Sequence, residues 1–229
     1  PTVRPMELMR LEREGDVFVL HLTEGDNRFN PDSTAEWHQA LDEVEASEGP
    51  AALVTTGTGR FYSNGLDLDR LLAGGGAELA EYVPVMLRLF ARLLRLPVIT
   101  VAAVNGHAFA AGAMLSLTHD FRVMRADRGY WCLPEADLGM PLAPGMNDLI
   151  SARLAPQVAH EAIMTARRYP ADEAKAHGIV DEVVDEDRVV ERAVARAAEL
   201  AGRDRGAIVA LRTRLYADLI DTLEEGALS

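Results

Sequence analysis

The run from Pro97 to Leu117 is the most restrictive feature of this 229-residue chain. It is apolar enough to imitate a membrane span, yet Asn105, Gly106, His107 and Gly112 interrupt it and its first part is β-branched. The run therefore predicts a buried strand over Val98–Val104, a turn, and a buried helix from about Ala110.

The rest of the chain is organised around that unit. Apolar runs between Leu8 and Leu22 flank Gly15 and Asp16, which predicts a β-hairpin. Pro31, Asp32 and Ser33 supply helix-start chemistry, and Trp37, Leu41 and Val44 recur on one face through Glu45. Ala51–Thr55 reads as a short buried strand. Gly57, Gly59 and Gly65 break the following stretch into a loop carrying Phe61, Tyr62, Ser63 and Asn64, and Gly74–Gly76 reads as a connector. Leu79, Val83, Met86, Phe90 and Leu94 mark a long helix that Pro97 stops, and Phe121–Met124 is a further strand. Beyond Pro144 the pattern is almost wholly helical, with Val189, Ala193, Ala197 and Leu200 on one stripe and Ile208, Leu211, Leu215 and Leu219 on another. Early βα alternation followed by helices predicts an α/β core over 1–186 and a helical region over 187–229 that packs on something, such as another subunit.

Charge and composition exclude several functions. The length suits one large domain at roughly 150 residues per domain. With 23 Lys and Arg against 36 Asp and Glu, the net charge is −13 and no basic stretch relieves it, so neither nucleic acid nor a membrane surface is expected as partner. Cys132 is the single cysteine, which excludes an intrachain disulfide and a cysteine-based zinc site and fits a reducing compartment. Pro1–Glu14 lacks the apolar region of a signal peptide, and Ala227, Leu228 and Ser229 are no recognised address, so a cytoplasmic location is expected. The loop around Gly59 lacks the Lys and Ser/Thr of a phosphate loop, and no G-x-G-x-x-G or G-x-S-x-G occurs. His21, His38, His107, His119, His160 and His177 never pair as H-E-x-x-H, so no metal site is expected.

Three segments remain: RFYSNGLDL (Arg60–Leu68), VAAVNGHAFAAGAML (Val101–Leu115) and LPEADLGM (Leu133–Met140). In this order and at these separations they resemble the crotonase superfamily of acyl-CoA enzymes. A fourth segment, RRYPADEAKAHGIVDEVV (Arg167–Val184), resembles the family stretch in which a helix start with Glu-Ala leads to Gly-Ile/Leu-Val-Asp. Each motif alone is weak; four in order, with the opening hairpin, span nearly the whole chain. The resemblance implies a crotonase-like α/β fold, a spiral of ββα turns forming two stacked sheets, with a C-terminal helical region that mediates trimers, often paired into hexamers. The tail of this chain is short for the family.

The chemistry of an enolate explains why such segments belong together. Removing a proton beside a thioester carbonyl builds negative charge on its oxygen, which two fixed backbone N–H groups can hold. The resemblance puts these donors on Leu66, after the glycine of the first loop, and on Ala111, three positions before the end of a G-G-G-x-E-like turn. Gly65 and Gly112 would let the backbone approach closely. Ala111 stands where many relatives have Gly, but a main-chain donor survives the change. Without the family, each loop reads as an ordinary strand-to-helix turn.

The carboxylates discriminate among reactions. Family members that hydrate a double bond use two glutamates, one to activate water and one to deliver a proton. Here the first position is Met114 and the second is Glu135. A lone base beside an oxyanion hole suits proton transfer along the acyl chain, so the pattern is similar to the branch of Δ3,Δ2-enoyl-CoA isomerases, which need no metal or redox cofactor; coenzyme A is part of the substrate. Met114, Trp131, Leu133 and Leu142 are expected to line an apolar acyl pocket that raises the Glu135 pKa. Outside the motif, Glu135 reads as a solvated loop carboxylate and Met114 as core packing.

For the CoA moiety, Arg28 in NRFN (Asn27–Asn30) and Arg60 are candidate cations, and either also reads as an ordinary surface charge, Arg60 more so than Arg28. Asn64 stands where relatives commonly have Ala, Asp67 is expected to orient its loop, and Leu71–Ala80 is expected over the acyl pocket. Two other readings stay open. One is hydration, thioester hydrolysis or decarboxylation, with Asp137, His107 or Asp67 supplying the missing group; the other is an acyl-CoA-binding paralogue without chemistry.

Overall fold

The computed structural model describes residues 6–225; the outermost residues at each end, including Ala227–Ser229, lie outside them. The chain opens with the expected hairpin, β1 (Met9–Glu14) antiparallel to β2 (Val17–Leu22), with Gly15 in the left-handed region at φ 59°. Helix α1 (Pro31–Ala46) follows. Its cap is Asn30, one residue before the expected start signal: the Asn30 side chain accepts from the Ser33 N–H and the Ser33 hydroxyl accepts from the Asn30 N–H, a reciprocal capping box with Pro31 at N1.

The next elements repeat one pattern three times. β3 (Ala52–Gly57) and β4 (Phe61–Ser63) lead to α2 (Leu68–Leu71) and α3 (Ala77–Arg95). β5 (Ile99–Val104) and β6 (His107–Phe109) lead to α4 (Ala111–Leu117). β7 (Phe121–Arg125) and β8 (Trp131–Cys132) lead to α5 (Glu135–Leu138). The first strand of each pair joins a six-stranded sheet of order β1-β2-β3-β5-β7-β9, whose last strand β9 is Glu182–Val184, and the second joins a small parallel sheet, β4-β6-β8. This is the expected ββα spiral. Then come α6 (Pro144–Arg153), α7 (Pro156–Thr165), α8 (Ala171–Ala176), β9 (Glu182–Val184), α9 (Val189–Ala198), α10 (Arg205–Leu215) and α11 (Ala217–Glu225).

Both faces of the large sheet are buried. Phe18, Leu20 and Leu53 face α1 and α3, whereas Val17, Val19, Val54, Val101 and Val123 face Val189, Ala193 and Ala197 of α9. A parallel sheet needs a cover on each side, and the small side chains of α9 provide the second one at close approach. Residues of the expected helical region therefore complete the core. Helix α11 buries Leu219, Ile220 and Leu223 in the main cluster, and Arg212 ties α10 to the start of β5 by donating to the Leu96 and Val98 carbonyls and to Asp120.

Several sequence expectations need correction. The loop holding Phe61–Ser63 contains β4, and β6, β8 and β9 were not foreseen; at two or three residues each, such strands are too short for alternation to register. The stripe Ile208–Leu219 does not lie on one helix. The chain turns at Tyr216, so Ile208 and Leu219 are buried while Leu211 and Leu215 are 70% and 71% exposed.

Candidate active site

Two backbone turns meet at Gly65. Its φ of 82° is open to glycine, and a Cβ there would lie 2.9 Å from Ala110 Cβ, 3.0 Å from the Phe109 carbonyl oxygen and 3.2 Å from the Ala111 nitrogen. The second contact is tighter still: a Cβ on Gly112 would fall 2.2 Å from the Ser63 carbonyl oxygen. These glycines bring the end of β4 against the first turn of α4. Ala110 takes φ 50°, ψ −123°, a conformation that a side chain disfavours and that the surrounding packing must hold.

The strand geometry orients the backbone donors. Phe29 N–H donates to Gly65 O at 2.7 Å and Asp67 N–H donates to Phe29 O at 2.9 Å, so the intervening Leu66 N–H points away from Phe29. Ala111 opens α4, where the first N–H groups have no partner inside the helix. Among the described residues neither the Leu66 nor the Ala111 N–H has an acceptor. Both residues line a cavity of about 540 Å³.

Glu135 enters the same cavity from the start of α5. Its Oε2 is buried and without a hydrogen-bond partner, and burial pushes its carboxyl up to about 7. Met114, Leu138, Met140 and Met146 are among the apolar side chains around it in the cavity wall. A carboxyl so placed is poised to accept and return a proton near neutral pH.

This titration has a consequence for stability. Between the ordinary carboxyl range and about pH 7, native Glu135 keeps a proton that the unfolded chain has released, so raising the pH through this window destabilises the fold. Glu135→Gln removes that cost. The variant is expected to be more stable than wild type at pH 8 by roughly 2–3 kcal/mol, with the difference shrinking toward pH 5, as urea denaturation at both pH values would measure. A pH-independent difference would count against a buried, titrating carboxyl.

Most of the expected substrate-contacting residues converge. Arg28, Asn64, Leu66, Ala111, Met114 and Glu135 all line the cavity, whereas Gly65 and Gly112 are not among its lining residues and instead permit the close approach of the two loops that carry Leu66 and Ala111. Asn64 donates through its N–H to the Asp26 carbonyl and through its side chain to the Asp26 carboxylate, which explains the residue that sequence left unexplained. Asp67 caps α2 by accepting from the Arg70 N–H and is not among the lining residues; it orients the loop. Of the loop expected over the pocket, Gly76, Leu79 and Ala80 reach the cavity.

Leu142, Trp131 and Leu133 do not line it. The stretch between α5 and α6 turns Pro141 and Ala143 to the cavity and leaves Leu142 against the core. Trp131 faces inward, where its Nε1–H donates to Ser116 Oγ at 3.1 Å and its ring meets Tyr169 edge-on. Arg60 is exposed over the Phe61 ring, away from the cavity. Sequence reasoning missed Val83 and Phe109 as wall residues. Val83 sits on the α3 stripe, so its burial was legible but the object it faces was not. Of the groups considered for a second acid or base, Asp137 and His107 also lie outside the lining; the His107 ring packs at a tilt against those of Phe61 and Phe109. Among the described residues no helix is long and apolar enough to cross a membrane, and no three His, Cys, Asp or Glu gather to hold a metal ion.

Comparison with known proteins gives a consistent result. The enoyl-CoA hydratase/isomerase family model matches residues 12–228. Enoyl-CoA delta isomerase 3 of Arabidopsis thaliana is 37% identical over 219 residues, covering 91% of this chain and 92% of the relative. Enoyl-CoA delta isomerase 2, peroxisomal, of the same plant is 36% identical over 225 residues, covering 93% and 94%. Among solved structures, a probable enoyl-CoA hydratase from Mycobacterium tuberculosis superposes with a TM-score of 0.89 at 29% identity, covering 96% of this chain and 93% of that one.

Proposed function

The chain belongs to the enoyl-CoA hydratase/isomerase family, and from that premise we propose that its cavity is the active site of a Δ3,Δ2-enoyl-CoA isomerase. The observation that carries the reading is Glu135, whose Oε2 is buried without a hydrogen-bond partner in a cavity also lined by Met114, the residue that the resemblance sets where hydrating relatives carry a second glutamate. Glu135 takes a proton from C2 of a 3-enoyl thioester. The electrons move into a dienolate whose oxygen is held by the Leu66 and Ala111 N–H groups, and Glu135 returns the proton to C4. Because the dienolate is planar, one carboxylate above one face reaches both carbons. The reaction needs only the acyl-CoA itself, with no metal or redox cofactor.

The test is to supply a 3-enoyl-CoA and, separately, the matching 2-trans-enoyl-CoA, following conjugation by absorbance and water addition by mass. Rapid conversion of the first with negligible hydration is expected. Hydration of the second without conversion of the first would overturn the single-base reading. If Met114 occupies the place of the absent acid/base, Met114→Glu is expected to bring measurable hydration of the 2-trans ester. A folded variant with no hydration would count against that equivalence.

We further propose a homotrimer or hexamer; the exposed Leu211 and Leu215, one helical turn apart on α10, support a surface that a second subunit covers. A reducing location such as the cytoplasm suits the lone Cys132, whose buried thiol is pushed up to about 11.

A further inference from the structure

Arg28, the cation among the residues lining the cavity, is already paired. Its Nη1 donates to Asp69 Oδ2 at 2.7 Å and its Nη2 to Asp26 Oδ2 at 3.1 Å, with Asp67 Oδ1 3.7 Å from Nη1. The three carboxylates are not equivalent. Asp26 also accepts from the Asn64 side chain, and Asp67 caps α2 while accepting from Asn30 Nδ2. Their side chains are 39% and 22% exposed. Asp69 lines the cavity, is 89% exposed, and among the described residues has Arg28 as its hydrogen-bond partner.

An ion pair so exposed is held weakly, because water competes for both partners and the side chains lose freedom to keep it. A phosphate offers more charge and several acceptor oxygens in a geometry that suits the guanidinium fork. We propose that Asp69 is a displaceable counter-ion: the phosphates of an acyl-CoA must replace it on Arg28, so Asp69 sets the affinity for the nucleotide end of the substrate and takes no part in proton transfer. This rests on the acyl-CoA reading of the cavity. The Asp26 contact keeps the guanidinium in place during the exchange, and Asp69 re-forms its pair as product leaves.

The experiment is calorimetric titration of wild type, Asp69→Asn, Arg28→Ala and the double variant with octanoyl-CoA and with octanoyl-pantetheine, which carries the same thioester without phosphates. Asp69→Asn is expected to tighten octanoyl-CoA about three- to five-fold, and Arg28→Ala to weaken it. In the Arg28→Ala background the Asp69 substitution is expected to change affinity less than about two-fold, and octanoyl-pantetheine to be insensitive throughout. Equal tightening in both backgrounds would mean general repulsion and overturn competition for Arg28, as would an unchanged affinity in Asp69→Asn. Failure of wild type to bind octanoyl-CoA, with no turnover of a 3-enoyl-CoA, would overturn the reading of the cavity and this inference together.

Discussion

Glu135→Gln is expected to lower kcat/KM for conversion of a 3-enoyl-CoA by about 10³-fold or more while acyl-CoA affinity stays within about two-fold. The amide keeps the size and shape of the side chain but cannot take a proton. Its environment accounts for the size of the effect. Oε2 is buried without a hydrogen bond, so the ionised form is poorly solvated and proton affinity is high, with the carboxyl at about 7. The reaction needs the deprotonated form, so kcat/KM of the wild type should rise with pH through about 7, and residual activity in the variant should lack that inflection. Steady-state kinetics from pH 5.5 to 8.5, with binding of a saturated acyl-CoA measured alongside, would decide it. Near-normal turnover in the variant would remove Glu135 from the mechanism.

The second large effect is expected at Gly65, where the two donor loops touch. Gly65→Ala must place a Cβ at φ 82° and 2.9 Å from Ala110 Cβ, beside the Ala111 nitrogen. The left-handed conformation costs about 1–2 kcal/mol and the overlap a further 1–3 kcal/mol. Relief of that overlap moves Ala110 and Ala111 away from Leu66, so the two N–H groups no longer share one target. Losing one such donor costs about 10²–10³ in kcat. Gly59→Ala separates strain from geometry: Gly59 also has a positive φ, 72°, but a Cβ there meets nothing within 4 Å. It should lose stability comparable to the conformational cost alone and keep its kcat. Equal catalytic losses in both variants would show that global destabilisation, not donor placement, controls activity.

Individual residues mark the boundary between what the sequence disclosed and what it did not. Leu79, Val83, Met86, Phe90 and Leu94 announced α3 because a helix repeats its buried face every three or four residues over many turns. Glu135, Leu66 and Ala111 were identified through short motifs whose order along the chain is informative, and the cavity holds all three. β6 and β8 left no such trace: each pairs with a strand distant in sequence, and pairing alone defines them. Nearness in sequence or the family resemblance points Leu142 at the pocket, yet its neighbours Pro141 and Ala143 face the cavity instead.

The sequence by itself therefore determined the early alternation of strand and helix, the Val98–Val104 run and the motif residues that the structure places in the cavity wall. These depend on local periodicity and on residue types at short spacing. Tertiary structure decided that α9 covers the far face of the sheet, that Asp69 pairs with Arg28 in the cavity wall, and that Glu135 Oε2 is buried without a partner. Burial and pairing depend on which distant segments come together, and that is set by packing across the whole chain.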